Sequence, residues 1–313
     1  MTFILIALTL ALAFVNGAND VSKGIATLVG SGVADYKKAV WWGSLWTIAG
    51  GLAAAFASQG LVATFSGKGL LAQPLAGHAF LLSAASGATL WVLFASATGL
   101  PVSTTHAIMG ALCGTGLAAA DFGGVRWTTV GNKFAMPLLV SPLLSMALMF
   151  ALFSLIRYSF GRLQKYCVCM EQGAGVRIRA DAGVSAAVAV DVAPSPPSLV
   201  IGKSQACSAE STVFSQINIM DALHWLTAGL TSFARGMNDI PKILALGAAA
   251  SARAGLGGPR LYFLAALSMG LGSLLWGLRV TETLARKVTP MSPEEGFSAN
   301  LITSALVGFA SHL

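Results

Sequence analysis

The chain of 313 residues is 55% hydrophobic and only 10% charged, whereas soluble domains carry roughly 25% charged residues. With a mean hydropathy of +0.74, this excludes an ordinary soluble globular protein. Nineteen Lys plus Arg against twelve Asp plus Glu give a net charge of +7, too little charge to build the solvated basic face of a nucleic-acid-binding protein.

The chain opens on an apolar run, Phe3 to Leu10 followed by Ala11-Leu12-Ala13. No Lys or Arg precedes it and a polar motif follows at once, so it reads as a retained first span rather than a cleaved secretory signal. Charge-free tracts then run from Ala39 to Gly67 and from Gly69 to Ala120. The second of these is longer than two membrane spans of roughly 20 residues each. Further charge-free tracts cover Phe134 to Ile156, Leu261 to Leu278 and Gly296 to Leu313. Such continuous apolar tracts predict an all-α, polytopic membrane protein, because a transmembrane β-barrel would alternate apolar and polar residues over short strands.

One long stretch, Arg157 to about Ile217, reads as water-exposed, with six basic residues, four acids and Pro194, Pro196 and Pro197. It predicts a first transmembrane repeat at 1–156, a hydrophilic central loop at 157–217 and a second repeat at 218–313. The basic residues favour the cytoplasmic side for the loop of a multi-pass protein in the cell (inner) membrane. Within it, Val184 to Val192 is too short to span. Cys113, Cys167, Cys169 and Cys207 form no disulfide framework. Cys167-Val-Cys169 reads as structural, with a metal or redox role as the alternative.

An internal repeat crosses this divide. Gly17-Ala18-Asn19-Asp20-Val21-Ser22-Lys23 aligns with Gly236-Met237-Asn238-Asp239-Ile240-Pro241-Lys242, each after an apolar run. Phe94-Ala95-Ser96 matches Phe309-Ala310-Ser311 at a similar offset. The first copy continues through Pro101-Val102-Ser103-Thr104-Thr105-His106, whereas the second has only His312-Leu313. The second repeat is therefore expected to be incomplete, and the chain a fragment or a natural truncation.

Acids inside hydrocarbon are costly, which makes Asp20 and Asp239 functional candidates. The plainer reading is a structural ion pair of each with Lys23 or Lys242. Flanking glycines and Pro241 predict interrupted or re-entrant helices at both motifs, tolerated only where they line an enclosed cavity. Pro101 favours the first turn of a new helix. Ser103, Thr104 and Thr105 then stand at its positive end, where hydroxyls and free backbone N–H groups suit an anion. A simple N-cap with helix–helix hydrogen bonds is the alternative. His106 reads as a histidine hydrogen-bonded in the bundle, or as a proton relay. An anion near two carboxylates would be repelled unless a cation or proton accompanies it, which is the logic of a symporter. No nucleophile–base pair or metal-ligand cluster suggests an enzyme.

Together these residues resemble the inorganic phosphate transporter (PiT-type) family. The resemblance rests on Gly17-Ala18-Asn19-Asp20-Val21, Gly30-Ser31-Gly32, Pro101 to His106, Gly236 to Asp239 and Glu295-Gly296-Phe297-Ser298-Ala299-Asn300-Leu301. It implies a helical bundle of two inverted repeats in the lipid bilayer, often a homodimer. Such a bundle moves inorganic phosphate with H+ or Na+ and no other cofactor. Carried over by position, Ser103, Thr104 and Thr105 would bind phosphate with Asn19 and Asn238 nearby. Asp20 and Asp239 would hold the coupling cation, Na+, or the proton.

Two features depart from the family pattern. A second Ser-Thr-Thr is missing, and Lys23 and Lys242 replace the Asn common three residues after the motif Asp. Lysine supplies donors and charge but no ligand oxygen. The lysines are thus expected to replace part of sodium's charge, favouring proton coupling or a looser cation requirement, or else to turn away into a vestibule. A permease for sulfate or another oxyanion, and a truncated phosphate-binding fragment that does not transport, are the competing readings. A carboxylate acceptor favours phosphate over sulfate, since phosphate at neutral pH can still donate a hydrogen bond.

Overall fold

The computed structural model describes residues 1–57, 59–66, 70, 77–171, 174–179, 189–194, 198–203, 213–288 and 290–310. It contains two compact units, Met1–Phe153 with His224–Leu313, and Ser154–Leu223.

The larger unit is helical: α1 (Thr2–Gly30), α2 (Tyr36–Ala57), α3 (Gln59–Phe65), α4 (His78–Thr98), α5 (Thr104–Ala120), the short α6 (Trp127–Val130) and most of α7 (Met136–Phe160). The chain continues, from the last residues of the second unit, with α8 (Ile219–Arg253), then α9 (Pro259–Trp276), α10 (Leu278–Glu282) and α11 (Pro293–Ala310). Among the described residues, four stretches are long and apolar enough to cross a membrane: Thr2–Gly30, Tyr36–Phe56, His78–Thr98 and Trp127–Lys165. Pro259–Trp276 and Leu278–Lys287, bent by 63°, make a fifth if they count as one broken span.

Helix α1 is buried without a break from Val15 to Ser22, so it lies inside the bundle rather than on its surface. Its apolar core partners include Ile240, Ile243 and Leu244 of α8 and Ala265, Ala266 and Met269 of α9. Glycines set how closely these helices approach. A Cβ on Gly17 would stand 1.9 Å from the Met269 carbonyl oxygen, and one on Gly272 would stand 1.8 Å from that of Phe14. The same contacts recur between α2 and α8, where a Cβ on Gly236 would meet Thr47 O at 2.3 Å and one on Gly50 would meet Phe233 O at 2.0 Å. Small residues permit this backbone contact between membrane helices.

Two sequence expectations are corrected here. Interruptions were expected at both Asn-Asp motifs, yet α1 and α8 run straight through Asp20 and Asp239, with Pro241 inside α8. Gly17 and Gly236 serve helix–helix contact, not a break. The helical expectation holds for most of the chain, but all-α is too strong, because the second unit carries strands. In it, β1 (Tyr166–Glu171) pairs antiparallel with both β4 (Ser198–Lys203) and β5 (Val213–Asn218), and β2 (Ala174–Arg179) pairs with β3 (Ala189–Pro194). Cys167 and Cys169, two residues apart on β1, share one buried face with sulfurs 3.2 Å apart. Cys207 lies outside the described residues, as do Ser311 to Leu313.

The one expected break that does form separates α4 from α5. Gly99 closes α4 at φ +77, a left-handed conformation that favours glycine. Ser103 then caps α5, accepting from the His106 backbone N–H at 3.4 Å. Helix α11 starts with a reciprocal capping box. Ser292 N donates to Glu295 Oε2 at 2.8 Å, and Glu295 N donates to Ser292 Oγ at 3.3 Å. A buried polar layer ties α1, α8 and α11 together. In it Thr27 Oγ1 meets His224 Nε2 at 3.0 Å and Asn300 Nδ2 at 2.7 Å, while Thr231 Oγ1 donates to Asn300 O at 3.0 Å.

Candidate functional site

The α4–α5 break is fixed from α1. Asn19 donates through Nδ2 to Leu100 O at 2.8 Å and accepts at Oδ1 from Val102 N at 3.0 Å, holding the backbone on both sides of Pro101. Lys23 Nζ, one turn further along α1, donates to Val102 O at 2.6 Å. The hydroxyl-bearing start of α5 is thereby held beside the first Asn-Asp motif, and α8 brings the second motif to the same place.

The result is a cavity of about 370 Å3 lined by Asp20, Lys23, Pro101, Val102, Ser103, Thr104, Thr105, Arg235, Asn238 and Asp239. Of the nine site residues picked from sequence, Asp20, Lys23, Ser103, Thr104, Thr105, Asn238 and Asp239 line it. Asn19 is fully buried behind the break that it clamps, and Lys242, 6% exposed, stands behind Thr105. His106 faces a separate apolar hollow with Met109, Cys113 and Phe134.

Both motif carboxylates are buried, Asp20 at 2% and Asp239 at 6% exposure, and both are fully engaged. Asp20 is held by charged groups: Lys23 Nζ bonds its Oδ1, and Arg235 Nη1 lies 3.3 and 3.4 Å from its two oxygens. Asp239 has mostly neutral company. Its Oδ2 accepts from Asn16 Nδ2 at 3.2 Å and Thr104 Oγ1 at 3.4 Å, and its Oδ1 lies 3.4 Å from Asn238 Nδ2 and 3.6 Å from Lys242 Nζ. Buried charges need such pairing, because an unpaired one is expensive.

Donor and acceptor rules then orient the three hydroxyls. A carboxylate and an amide oxygen can only accept, so Thr104 spends its one O–H on the Asn16 amide oxygen, with Asp239 Oδ2 as a second, longer acceptor. Lysine can only donate, so Thr105 accepts from Lys242 Nζ at 2.9 Å and keeps its O–H. Ser103 accepts from a backbone N–H and likewise keeps its O–H. With Lys23 and Arg235 on the wall, the cavity offers hydroxyl and cationic donors together with carboxylate acceptors. That combination is suited to a protonated tetrahedral oxyanion.

Sequence reasoning missed Arg235 and Asn16. Each stands four residues before its own motif Asp and bonds the Asp of the other copy: Arg235 to Asp20, Asn16 to Asp239. A polar residue at this same aligned position in both apolar runs was the available signal.

The chain is 26% identical over 95% of its length to a chloroplastic inorganic phosphate transporter of Arabidopsis thaliana, of which it spans 60%. It is 25% identical over 94% of its length to a protein of Rhizobium meliloti named a probable low-affinity inorganic phosphate transporter, of which it spans 74%. Its fold matches a solved sodium-dependent phosphate transporter at a TM-score of 0.72 and 22% identity, covering 99% of this chain and 84% of that one. The sequence pattern of the phosphate transporter family matches residues 16–313. This chain is a member of the phosphate transporter family.

Proposed function

We propose that the chain carries inorganic phosphate across the membrane as a symporter with H+ or Na+. The observation that carries this reading is the single cavity in which the hydroxyls of Ser103 and Thr105, the cations of Lys23 and Arg235 and the carboxylates of Asp20 and Asp239 converge. In this reading Ser103, Thr105 and Asn238 donate to phosphate oxygens. Thr104 and Asn19 hold the cradle in place, and Asp20 and Asp239 meet the coupling cation or proton. The carboxylates also distinguish phosphate from sulfate, because only phosphate brings an O–H that needs an acceptor.

The reciprocal glycine contacts of α1 with α9 and of α8 with α2 support two related membrane halves, residues 1–156 and 218–313, and the family resemblance adds an inverted relation between them. The central stretch, 157–217, is assigned to the cytoplasmic side of the cell membrane, and the chain to a homodimer. Reconstitution into liposomes tests the function. Labelled phosphate should accumulate under an imposed H+ or Na+ gradient, and excess phosphate should compete where sulfate does not. Uptake that ignores both gradients would remove the symport reading, and equal competition by sulfate would make the chain a general oxyanion permease.

A further inference from the structure

Resting on the phosphate reading above, we propose that Lys23 and Lys242 are built-in counter-cations that take the place of Na+ at the two motif carboxylates, so that the cavity takes up its anion without sodium. An oxyanion entering beside two buried carboxylates needs positive charge there, because like charges repel strongly at low dielectric. In this chain each carboxylate carries that charge on its own helix, three residues on and on the same face.

The oxygens that a sodium ion would use are already engaged. Asp20 Oδ1 bonds Lys23, and both of its oxygens lie within reach of Arg235. Asp239 Oδ1 faces Lys242 and Asn238, and its Oδ2 accepts from Asn16 and Thr104. Sodium is held through oxygen lone pairs, and an ammonium or guanidinium offers none. Lys23, Lys242 and Arg235 against Asp20 and Asp239 leave one positive charge over, which a singly charged anion neutralises.

Lys242 has a second effect. By donating to Thr105 Oγ1 at 2.9 Å it leaves the Thr105 O–H for the anion, so one cation both neutralises Asp239 and aims a donor. Arg235 keeps a buried Nε with no hydrogen-bond partner among the described residues, an unmet donor on a side chain that lines the cavity.

The test is equilibrium binding of radiolabelled inorganic phosphate to the purified chain in detergent, with choline replaced stepwise by Na+ at constant ionic strength. The expected result is a phosphate Kd that changes less than about twofold between choline and Na+, with the Lys23→Asn/Lys242→Asn variant binding about tenfold more weakly in choline and recovering in Na+. Saturable activation of wild-type binding by Na+ would overturn the inference and leave the phosphate reading standing. Absence of phosphate binding under both conditions would overturn both. If the double variant is not monodisperse, the wild-type titration decides alone.

Discussion

Asp20 and Asp239 occupy the same place in two copies of one motif, yet their surroundings differ in kind. Asp20 sits among cations, Lys23 and Arg235, whereas Asp239 is shared among Asn16, Thr104, Asn238 and one lysine. The asymmetry comes from the position four residues earlier, where one copy has Asn16 and the other Arg235, each reaching the opposite carboxylate. Repetition thus supplies the backbone frame, and one residue per copy decides which carboxylate is held by two cations and which by one cation within an amide and hydroxyl network.

The frame should be equal in the two copies, and breaking it should have the largest effect. Gly17→Ala and Gly236→Ala both push a Cβ into a carbonyl oxygen. Each is expected to cost about 3 kcal/mol or more, through overpacking that no flexible side chain can relieve. Thermal unfolding in detergent measures it, and a large difference between the two would break the equivalence of the halves.

The carboxylates should then separate. Asp20→Asn leaves Lys23 and Arg235 without a counter-charge and is expected to lower phosphate uptake by about a hundredfold, in line with the roughly 3 kcal/mol for breaking a buried ion pair. Asp239→Asn strands one cation, Lys242, rather than two, and keeps an acceptor for Asn16 or Thr104, so it should lose only about tenfold. Unchanged uptake in Asp20→Asn would remove that carboxylate from the mechanism, and a reversed order would show that the amide and hydroxyl network around Asp239 matters more than the two cations at Asp20.

The crossing residues sharpen the same contrast. Arg235→Ala removes a charge-assisted contact and should weaken phosphate binding about tenfold, whereas Asn16→Ala removes one amide bond and should weaken it about threefold. Arg235→Lys should fall between them, because it keeps the charge but not the reach and planar head that set Nη1 between both Asp20 oxygens. The smallest effects are expected among the hydroxyls. Thr105→Val should weaken phosphate binding about twofold, while Thr104→Val should act on stability by about 0.5 kcal/mol, because its O–H is spent within the Asn16–Asp239 network. Titration calorimetry and thermal unfolding separate these two outcomes.

Much of the cavity was legible in the sequence, because polar residues within apolar tracts are few and each carries information. Asp20, Asn238 and Asp239 of the doubled motif and the Ser-Thr-Thr cluster after Pro101 line one cavity. Glycine was the ambiguous letter: at Gly99 it permits a left-handed turn, while at Gly17 and Gly236 it permits helix contact, and neighbouring sequence does not distinguish the two uses. Asn19 reads like a substrate ligand, yet both ends of its amide are taken by backbone that only the fold brings near. The strands between α7 and α8 were missed because hydropathy dominates the reading of a membrane chain, and the short alternation of Tyr166 to Glu171 is faint beside it.

The Asn19 clamp has a mechanical meaning. A helix break is ordinarily the joint of a structure, but here the amide bridges the break and welds the start of α5 to α1. Asp20, Lys23, Ser103 and Thr105 are therefore fixed to one another as one wall of the cavity, and Arg235, Asn238 and Asp239 on α8 form the other. Four ties cross between the two walls, Arg235 to Asp20, Asn16 and Thr104 to Asp239, and Lys242 to Thr105, so neither wall can shift without loosening all of them.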